Sequence, residues 1–404
     1  MRSVRVLVHA GEVDRTATLI RANVSAEKPT SLGSTSGGES ITLRDEATGQ
    51  LVPAQYDPAA ELLSFVLDGP LPAGQSRSFQ ATTEPVEPAF PATLTAKLDR
   101  VELGVAGELF ATYLTSGARR PYFWPVLGPS GASVVRGQGS ADHPHHTGLA
   151  LNYGGHGEGG SVNLWSDWDE PPYGPGGRML HRGFRRLQTG PVYGELVQDL
   201  TYLDAYGDPF ATEVRTIRWW WAGQARRFLD LDCRIVDVTD RGTRPFIMMI
   251  RTPDSFAVPG HGRVTNSSTG QTPDVVYTAA DQYRAAWVDA SGPTGGPPPA
   301  PPAGPPEELP DLVASSKTYQ EPGTGPWNGI ALLDHPGNDG YPNVVGKYAT
   351  VQQVTQAHYP PADAPQGPFG FQHRVFVHDG DADAAGIETV AADYGTSCRV
   401  EVES

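Results

Sequence analysis

The fold is decided by the stretch RRFLDLDCRIVDV at Arg226–Val238. Its apolar residues Leu229, Leu231, Cys233 and Ile235 alternate with charged residues. A period of two residues places one set of side chains on each face of a β-strand. The stretch therefore predicts a long strand with one buried face.

Other long strand patterns surround this stretch. Residues 192–203 and 211–221 flank a turn at Tyr206–Pro209, and Phe246–Ile250 is continuously apolar, which is typical of a fully buried strand. Within residues 211–221, Trp219 and Trp221 share one face and Trp220 takes the other, so we assign all three to packing. Long antiparallel strands with few helical periods predict an all-β fold with a large sandwich of two sheets.

The first part of the chain has shorter strands joined by tight turns. Ile41–Arg44 and Leu51–Ala54 flank a turn that ends in glycine, which is a hairpin pattern. We predict a small N-terminal β-sandwich over residues 1–85, a proline-containing linker over residues 82–92 and a large antiparallel supersandwich over residues 93–404. Residues 291–310 (SGPTGGPPPAPPAGPPEELP) predict a polyproline-type or disordered surface loop.

Composition and charge exclude several classes of function. The 404-residue chain contains 47 Gly and 38 Pro, and this content of turn-forming residues argues against a helical bundle. Its net charge of −16 would be repelled by nucleic-acid backbones and anionic lipids. No apolar run reaches the roughly 20 residues that span a bilayer. The pattern of the N-terminal residues does not fit a signal peptide. The two cysteines cannot form a disulfide framework. We expect a soluble, cytoplasmic protein with a small-molecule or oligosaccharide substrate and no nucleic-acid or membrane partner.

Side chains that carry chemistry concentrate between residues 119 and 183. Five of the eleven histidines fall between His143 and His181, three of them in the run DHPHH at residues 142–146. Histidine titrates near neutrality, so such a cluster favours proton transfer or metal ligation. We predict that His145 and His146 are acid and base, that His181 supports them, and that Glu213 supplies a carboxylate.

Aromatic, guanidinium and amide groups surround these histidines in a mixture typical of sugar binding. Aromatic faces pack against sugar C–H groups, while polar side chains bind hydroxyls. The predicted substrate-binding residues are Arg119, Arg120, Tyr122, Trp124, Asp142, Trp165, Trp168, Arg263, Asn266, His335 and Asn338. Arginines in this set would hold a carboxylate, keto or enolate oxygen. A further polar patch begins at Arg251.

The sequence predicts no organic cofactor. It has no GxGxxG after a strand, no P-loop and no GxSxG elbow, which excludes NAD, ATP and α/β-hydrolase interpretations. A divalent metal remains an alternative, with His143, His145 and a third ligand such as His181 or His335.

Several separated motifs resemble one bacterial family. They are RRPYFWPVLGPSGASVVRG, DHPHHTGL, NLWSD and GRMLHRGF, followed by GRVTNSSTGQ, AAWVDASG, GIALLDHPGNDGYP and FQHRVFVHDGDAD. In this order they resemble the PmoA-like family, a family of unknown function also called DUF6807. The resemblance implies a sandwich similar to those of galactose mutarotases and polysaccharide lyases, a site on its concave face and an association with carbohydrate degradation. Thr147 stands where the family usually has arginine.

These observations predict a carbohydrate-active enzyme that uses histidine acid/base chemistry on a sugar or glycoside. The residues leave hydrolysis, elimination and epimerisation open, so the expected class is glycoside hydrolase or lyase. Two alternatives are a metal-dependent enzyme with the same site and a non-catalytic carbohydrate-binding protein.

Overall fold

A computed structural model describes residues 4–24, 39–137, 147–154, 164–165, 176–238, 245–256, 262–268, 270–271, 283–294, 325–348, 353–358 and 368–403. Antiparallel strands predominate and form three sheets. The predicted all-β fold with a large antiparallel sandwich is confirmed.

The first sheet takes strands from both ends of the chain. Its strands are β1 (Arg5–His9), β2 (Arg15–Asn23), β3 (Glu39–Asp45), β4 (Leu51–Asp57), β5 (Leu62–Leu71), β6 (Ser76–Thr82) and β25 (Arg399–Glu403), in the order β2-β5-β4-β3-β6-β1-β25. Val6 pairs with Val402, and the alternating Val4, Val6 and Val8 lie in a core of the sheet's own residues. The N-terminal unit therefore includes a C-terminal strand that the sequence analysis assigned to the large domain, because pairing between distant strands leaves no local sequence signal.

Two sheets of nine strands form the sandwich. The second sheet contains β7 (Ala92–Ala96), β8 (Arg100–Val105), β9 (Glu108–Leu114), β10 (Tyr122–Val126), β11 (Leu149–Tyr153), β16 (Phe246–Arg251), β19 (Tyr283–Arg284), β22 (Val344–Tyr348) and β23 (Gln353–His358), in the order β19-β22-β23-β16-β11-β10-β9-β8-β7. The third sheet contains β12 (Arg178–Gln188), β13 (Gly194–Leu203), β14 (Pro209–Trp221), β15 (Arg226–Val238), β17 (Arg263–Asn266), β18 (Gly270–Gln271), β20 (Trp287–Pro293), β21 (Trp327–Asp334) and β24 (Phe369–Asp379), in the order β12-β13-β14-β15-β24-β21-β20-β17-β18.

The main hydrophobic core lies between the second and third sheets. The apolar residues of β15, from Leu229 to Ile235, point into it. Trp219 and Trp221 join them, whereas Trp220 packs on the other face of the third sheet. The predicted alternation of β15 and the packing role of the three tryptophans are therefore confirmed.

Two short helices near the C-terminus attach the first sheet to the sandwich. They are α1 (Ala382–Ala385) and α2 (Ile387–Gly395), and a 3-10 turn lies at Asp254–Phe256. Ile387 and Val390 of α2 pack with Ala17 of β2 and Phe376 of β24. The first sheet thus sits, through α2, on the outer face of the third sheet. Among the described residues, neither helix combines the length and hydropathy needed to cross a membrane.

The proline-rich loop begins later than predicted. Ser291, Gly292 and Pro293 belong to β20 and pair with Gly329, Asn328 and Trp327 of β21. These first three residues of the predicted loop therefore continue a strand, since a proline at a strand end removes little pairing. Residues 295–310 lie outside the described part of the chain.

A buried ion pair holds α2 against the first sheet. Arg15 is fully buried, and its Nη1 donates to Asp393 Oδ1 at 2.7 Å and to the Asp393 carbonyl at 3.0 Å. Thr18 Oγ1 donates to the other carboxylate oxygen at 2.5 Å. Because removing one partner leaves a buried charge without its counter-charge, this pair couples the two parts of the fold.

We expect Asp393→Asn to lower the free energy of unfolding by about 3–5 kcal/mol, since the buried Arg15 loses its counter-charge. Urea unfolding followed by circular dichroism measures the change. Asp199→Asn is the matched control, because Asp199 pairs with Arg185 at the surface, where solvent screens the interaction. Equal losses in the two variants would contradict the coupling role of Arg15.

Candidate functional site

The outer face of the second sheet combines polar and apolar residues; Met249 clusters apart from the main core, whereas Tyr122 and Ala150 also belong to the core cluster. Tyr122 pairs with Ala150, Ala150 with Met249, and Met249 with Thr355, so all four project to the same side. The residues that alternate with them, such as Leu149 and Leu151, face the main core.

The next rows of this face add an amide and a guanidinium group. Asn152 pairs with Ile247, and Arg251 lies two residues beyond Met249 on the same strand. Asn152 and Arg251 are fully buried. Tyr122, Asn152, Arg251, Thr355 and Trp165 are together called the polar face. It is a surface where a hydrogen-bonding ligand would meet both donors and acceptors.

Trp165 adds an apolar surface to the polar face. Its indole packs with Ile247 and Met249 in a small cluster separate from the main core, and Ala357 borders it. Trp165 is only 4% exposed. The substrate-binding role of Trp165 stays a prediction. Trp168 lies outside the described residues.

The described residues on either side of the histidine run are hydrogen-bonded to one another and to Arg251 of the polar face. Asp142, His143, His145 and His146 themselves lie in the segment 138–146, which is not described. On either side of that segment, the Arg136 N–H donates to the Arg251 carbonyl at 2.9 Å, and the Gly148 N–H donates to the Arg136 carbonyl at 2.8 Å. The Arg251 N–H donates to the Gly148 carbonyl at 2.8 Å, which closes a cycle of three hydrogen bonds.

Gly148 is required at this position. Its φ is 47°, in the left-handed region that favours glycine, and a Cβ there would overlap the Phe123 carbonyl oxygen. On the other side of the segment, a Cβ on Gly137 would lie 2.6 Å from the Trp124 ring. Gly137 and Gly148 thus allow the chain on either side of the segment 138–146 to approach β10 closely.

Among the described residues near the polar face, an amide oxygen and a hydroxyl oxygen are buried without a hydrogen-bond partner. They are Asn152 Oδ1 and Thr147 Oγ1. The Asn152 amide nitrogen does donate, over 3.4 Å, to the Ile247 carbonyl. A buried polar atom without a partner is destabilising, and it is often satisfied by a ligand or by water.

The predicted residues of the RRPYFWP motif also lie at this part of the second sheet. Arg120, Tyr122 and Trp124 are all buried. The Arg119 carbonyl accepts a hydrogen bond of 2.7 Å from the Met179 N–H, next to the start of β12. The motif therefore runs from the edge of the third sheet onto the polar face.

His181 and Glu213 do not belong to the polar face. Both are on strands of the third sheet, and Glu213 is buried inside the sandwich. Arg215 Nε donates to Glu213 Oε1 at 2.7 Å, and Tyr202 Oη donates to Glu213 Oε2 at 2.5 Å. The Arg215 guanidinium also reaches Tyr113 Oη of the second sheet at 3.2 Å.

Further hydrogen bonds lead from Tyr113 through Gln198 to His181. Gln198 Nε2 donates to Tyr113 Oη, and Gln198 Oε1 accepts a hydrogen bond of 2.9 Å from His181 Nδ1. The His181 ring lies 4.3 Å from that of Phe184. The catalytic roles of His181 and Glu213 stay predictions, and the contacts of Glu213 favour a structural ion pair.

Burial is the largest influence on the pKa values of Arg215, Tyr202 and Cys233 in this network. It disfavours the charged form of Arg215, but the Glu213 carboxylate outweighs burial and leaves the pKa of Arg215 well above its ordinary value. Burial, followed by Glu213, raises the pKa values of Tyr202 and Cys233 well above their ordinary values. Tyr202 and Cys233 therefore stay neutral, and Cys233 is an unreactive thiol. Both cysteines are free.

A model of the family of unknown function DUF6807 matches residues 100–392. The chain belongs to the DUF6807 family. No curated protein matches the chain.

The DUF6807 match begins at β8 and ends within α2, so it covers the sandwich and leaves out the strands of the first sheet. It includes the polar face, the histidine run and the Glu213–Arg215 pair. The family resemblance predicted from the motifs is therefore confirmed, but the family carries no known activity.

The remaining predicted site residues lie on the third sheet. Arg263 is exposed, forms an ion pair with Asp381 and lies over the Trp327 ring at 5.4 Å. Asn266 is buried, and its Oδ1 accepts a hydrogen bond of 2.9 Å from the Ser268 N–H. The structure therefore separates Arg263 and Asn266 from the polar face.

His335 and Asn338 belong to a turn organised by Asp334. Asn338 Nδ2 donates to Asp334 Oδ1 at 2.7 Å. The His335 ring lies 5.1 Å from that of Tyr394, and burial lowers the pKa of His335. Asn338 and His335 border a cleft of about 460 Å³ with the backbone of Gly370. This turn follows β21 of the third sheet and leads to β22 of the second sheet, and no residue of the polar face belongs to it.

The described residues contain one group of side chains able to hold a metal ion, at Asp334, His358 and His373. Burial, with a smaller contribution from the neighbouring His373, lowers the pKa of His358 well below its ordinary value. Burial also lowers the pKa of His373. This group includes neither His181 nor His335, which the sequence analysis named as third ligands.

Sequence reasoning gave too little weight to several residues. Asn152 and Arg251 were visible as polar residues, and Arg136 is the next-to-last residue of the first family motif, but none was assigned to the site. His358 and His373 lie on neighbouring strand patterns without a metal-ligand spacing. Only the pairing of strands brings each of these residues to its partners.

We expect Glu213→Gln to lower the free energy of unfolding by about 3–5 kcal/mol, because the buried Arg215 loses its counter-charge. Tyr202→Phe is the control, since it removes one hydrogen bond to the carboxylate and should cost about 1.5–3 kcal/mol. Chemical denaturation measures both. Unchanged stability of Glu213→Gln would contradict the structural role and favour the catalytic one.

Proposed function

We propose that the protein is an enzyme that acts on a carbohydrate or glycoside at the polar face, with His145 and His146 as acid and base. The observation that carries the proposal is the assembly of Arg251, Asn152 and Trp165 on one buried sheet face, next to the hydrogen-bonded residues on either side of the histidine run. Histidines at such a surface can exchange protons with a bound ligand at neutral pH.

Arginines give this face a charge opposite to that of the whole chain. Arg251 is fully buried and Arg120 is 1% exposed, although the net charge of the chain is −16. A guanidinium group acts more strongly on an oxyanion in a buried site than in water. Arg120 and Arg251 would therefore hold a carboxylate or stabilise an enolate oxygen that forms during proton abstraction.

Trp165 and Asn152 account for recognition of the neutral part of the substrate. The indole plane on Ile247 and Met249 suits a sugar C–H face. The unpartnered Asn152 Oδ1 would accept a hydrogen bond from a sugar hydroxyl. Acceptor, guanidinium and aromatic plane together favour an oxygen-rich small molecule over an apolar ligand.

We expect His146→Ala to lower kcat by about 10²- to 10⁴-fold, the usual contribution of a general acid or base. Asn152→Ala should act mainly through KM, because it removes a binding contact. Product formation from a panel of sugars, oxidised sugars and glycosides, measured by mass spectrometry, gives the substrate and both parameters.

His9→Ala is the matched control, because His9 is a partly exposed histidine on the first sheet, where it pairs with Glu401. It should retain wild-type kcat. If His146→Ala matched the wild type, the role of His146 would be wrong. Saturable calorimetric binding without turnover would instead show a carbohydrate-binding protein, and no binding of any member of the panel would exclude the proposed substrate class.

A further inference from the structure

Three buried residues from three strands meet inside the sandwich, on the opposite side of the second sheet from the polar face. Asp334 ends β21, His358 ends β23 and His373 lies in β24, and each is at most 3% exposed. Their candidate ligand atoms all lie within 4.8 Å of one another. The two imidazoles come from different sheets, and their Nε2 atoms are 2.6 Å apart.

The tautomer of His373 is fixed by a backbone group. Its Nδ1 lies 3.3 Å from the Leu333 carbonyl, which can only accept a hydrogen bond. A neutral His373 therefore carries its proton on Nδ1 and directs the lone pair of Nε2 toward His358. A metal-ligating histidine characteristically donates its other ring N–H to a carbonyl or carboxylate in this way.

Asp334 is held by four hydrogen-bond donors. Oδ1 accepts from the His335 N–H at 3.0 Å and from Asn338 Nδ2 at 2.7 Å. Oδ2 accepts from the Asn343 N–H at 2.8 Å and from Asn343 Nδ2 at 3.1 Å. These donors fix the orientation of the carboxylate, as outer-shell groups do in metal sites.

The surroundings of His358 are also fixed. Its ring stacks on Phe371 with 4.5 Å between centroids and an interplanar angle of 4°. Phe371 belongs to the main core. An apolar shell of this kind restricts the access of water to a metal site and strengthens electrostatic interactions within it.

The donor set points to a transition metal. Two imidazole nitrogens and one carboxylate suit zinc and its neighbours, whereas calcium and magnesium prefer oxygen ligands. With metal–nitrogen bonds of about 2.0–2.1 Å in tetrahedral geometry, two Nε2 atoms are about 3.3 Å apart. Binding would therefore require the two rings to separate by about 0.7 Å from their present distance.

We propose that Asp334, His358 and His373 bind one divalent transition-metal ion, with zinc as the best match, and that this ion ties the second sheet to the third. The site is independent of the proposed function, because it lies between the sheets and shares no residue with the polar face. Its role is structural.

Metal analysis of protein purified without a polyhistidine tag tests the proposal. We expect one zinc-type ion per chain in the wild type and none in His358→Gln or His373→Gln. His378→Gln is the matched control, since His378 is a buried histidine of the same strand β24 that pairs with Asp289. It should keep the ion.

Titration of the metal-stripped protein gives a second measurement. Zinc alone should raise the Tm of the wild type and of His378→Gln but not that of His358→Gln, and cobalt should give visible d–d bands with the same dependence. Asn343→Ala, which removes one side-chain donor to Asp334, should weaken zinc binding by about 10- to 100-fold. Circular dichroism before titration selects the variants that are folded.

Two results would overturn the proposal. One is a wild-type protein that contains no metal above background and whose Tm does not respond to zinc. The other is an ion that remains in folded His358→Gln and His373→Gln proteins but is lost in a His145→Gln variant, because the ion would then belong to the histidine run. If His146→Ala lost turnover but kept its metal content, the metal site at Asp334, His358 and His373 would be unaffected. The metal site and the proposed function can therefore be tested independently of each other.

Discussion

Packing of the second sheet against the third is the constraint on which the candidate site depends. Burying Leu149 and Leu151 in the main core directs Asn152 to the opposite face, since side chains alternate along a strand. The same rule on β16 sends Ile250 inward and Arg251 outward. The hydrophobic core therefore decides which polar groups line the polar face, and one residue of that face, Tyr122, also belongs to the core cluster.

Hydrophobic burial has no direction, so it does not by itself fix how two sheets are aligned. Several polar links among the described residues cross the interface between these sheets. Tyr113 of the second sheet contacts Arg215 of the third, and His358 of the second sheet contacts His373 of the third. Buried polar groups are costly unless they are paired, so each link disfavours any alignment that would break it. The links thereby hold the second sheet, and with it the polar face, in one position.

The sequence predicted the strands well because their alternation is a local property. β15 and the tryptophans of β14 lie as expected, and Arg120, Tyr122, Trp124 and Trp165 are all at the second sheet or packed on it.

Side-chain direction was harder to predict for Glu213, because an acidic residue in a strand normally faces solvent, whereas here Arg215 two residues later pairs with it inside the sandwich. Arg263 and His335 were grouped with the site by residue type alone, and strand order separates them from it. The pairing of β25 with β1 and the meeting of His358 with His373 depend on long-range contacts that no local pattern records.

The two outer faces of the sandwich differ in the residues that they bury. On the third sheet, Trp220, Phe228 and Phe376 form an apolar surface that α2 and the first sheet cover. The ion pair of Arg15 with Asp393 holds α2 to the first sheet. On the second sheet, the outer face combines Arg251 and Asn152 with Trp165, a set that apolar packing alone cannot satisfy. A face that carries a guanidinium and an amide group suits a polar ligand better than a second layer of hydrophobic structure. The family motifs contribute strands to both sheets, whereas the two outer faces divide the fold into an apolar face, which the first sheet covers, and a polar face on the opposite side.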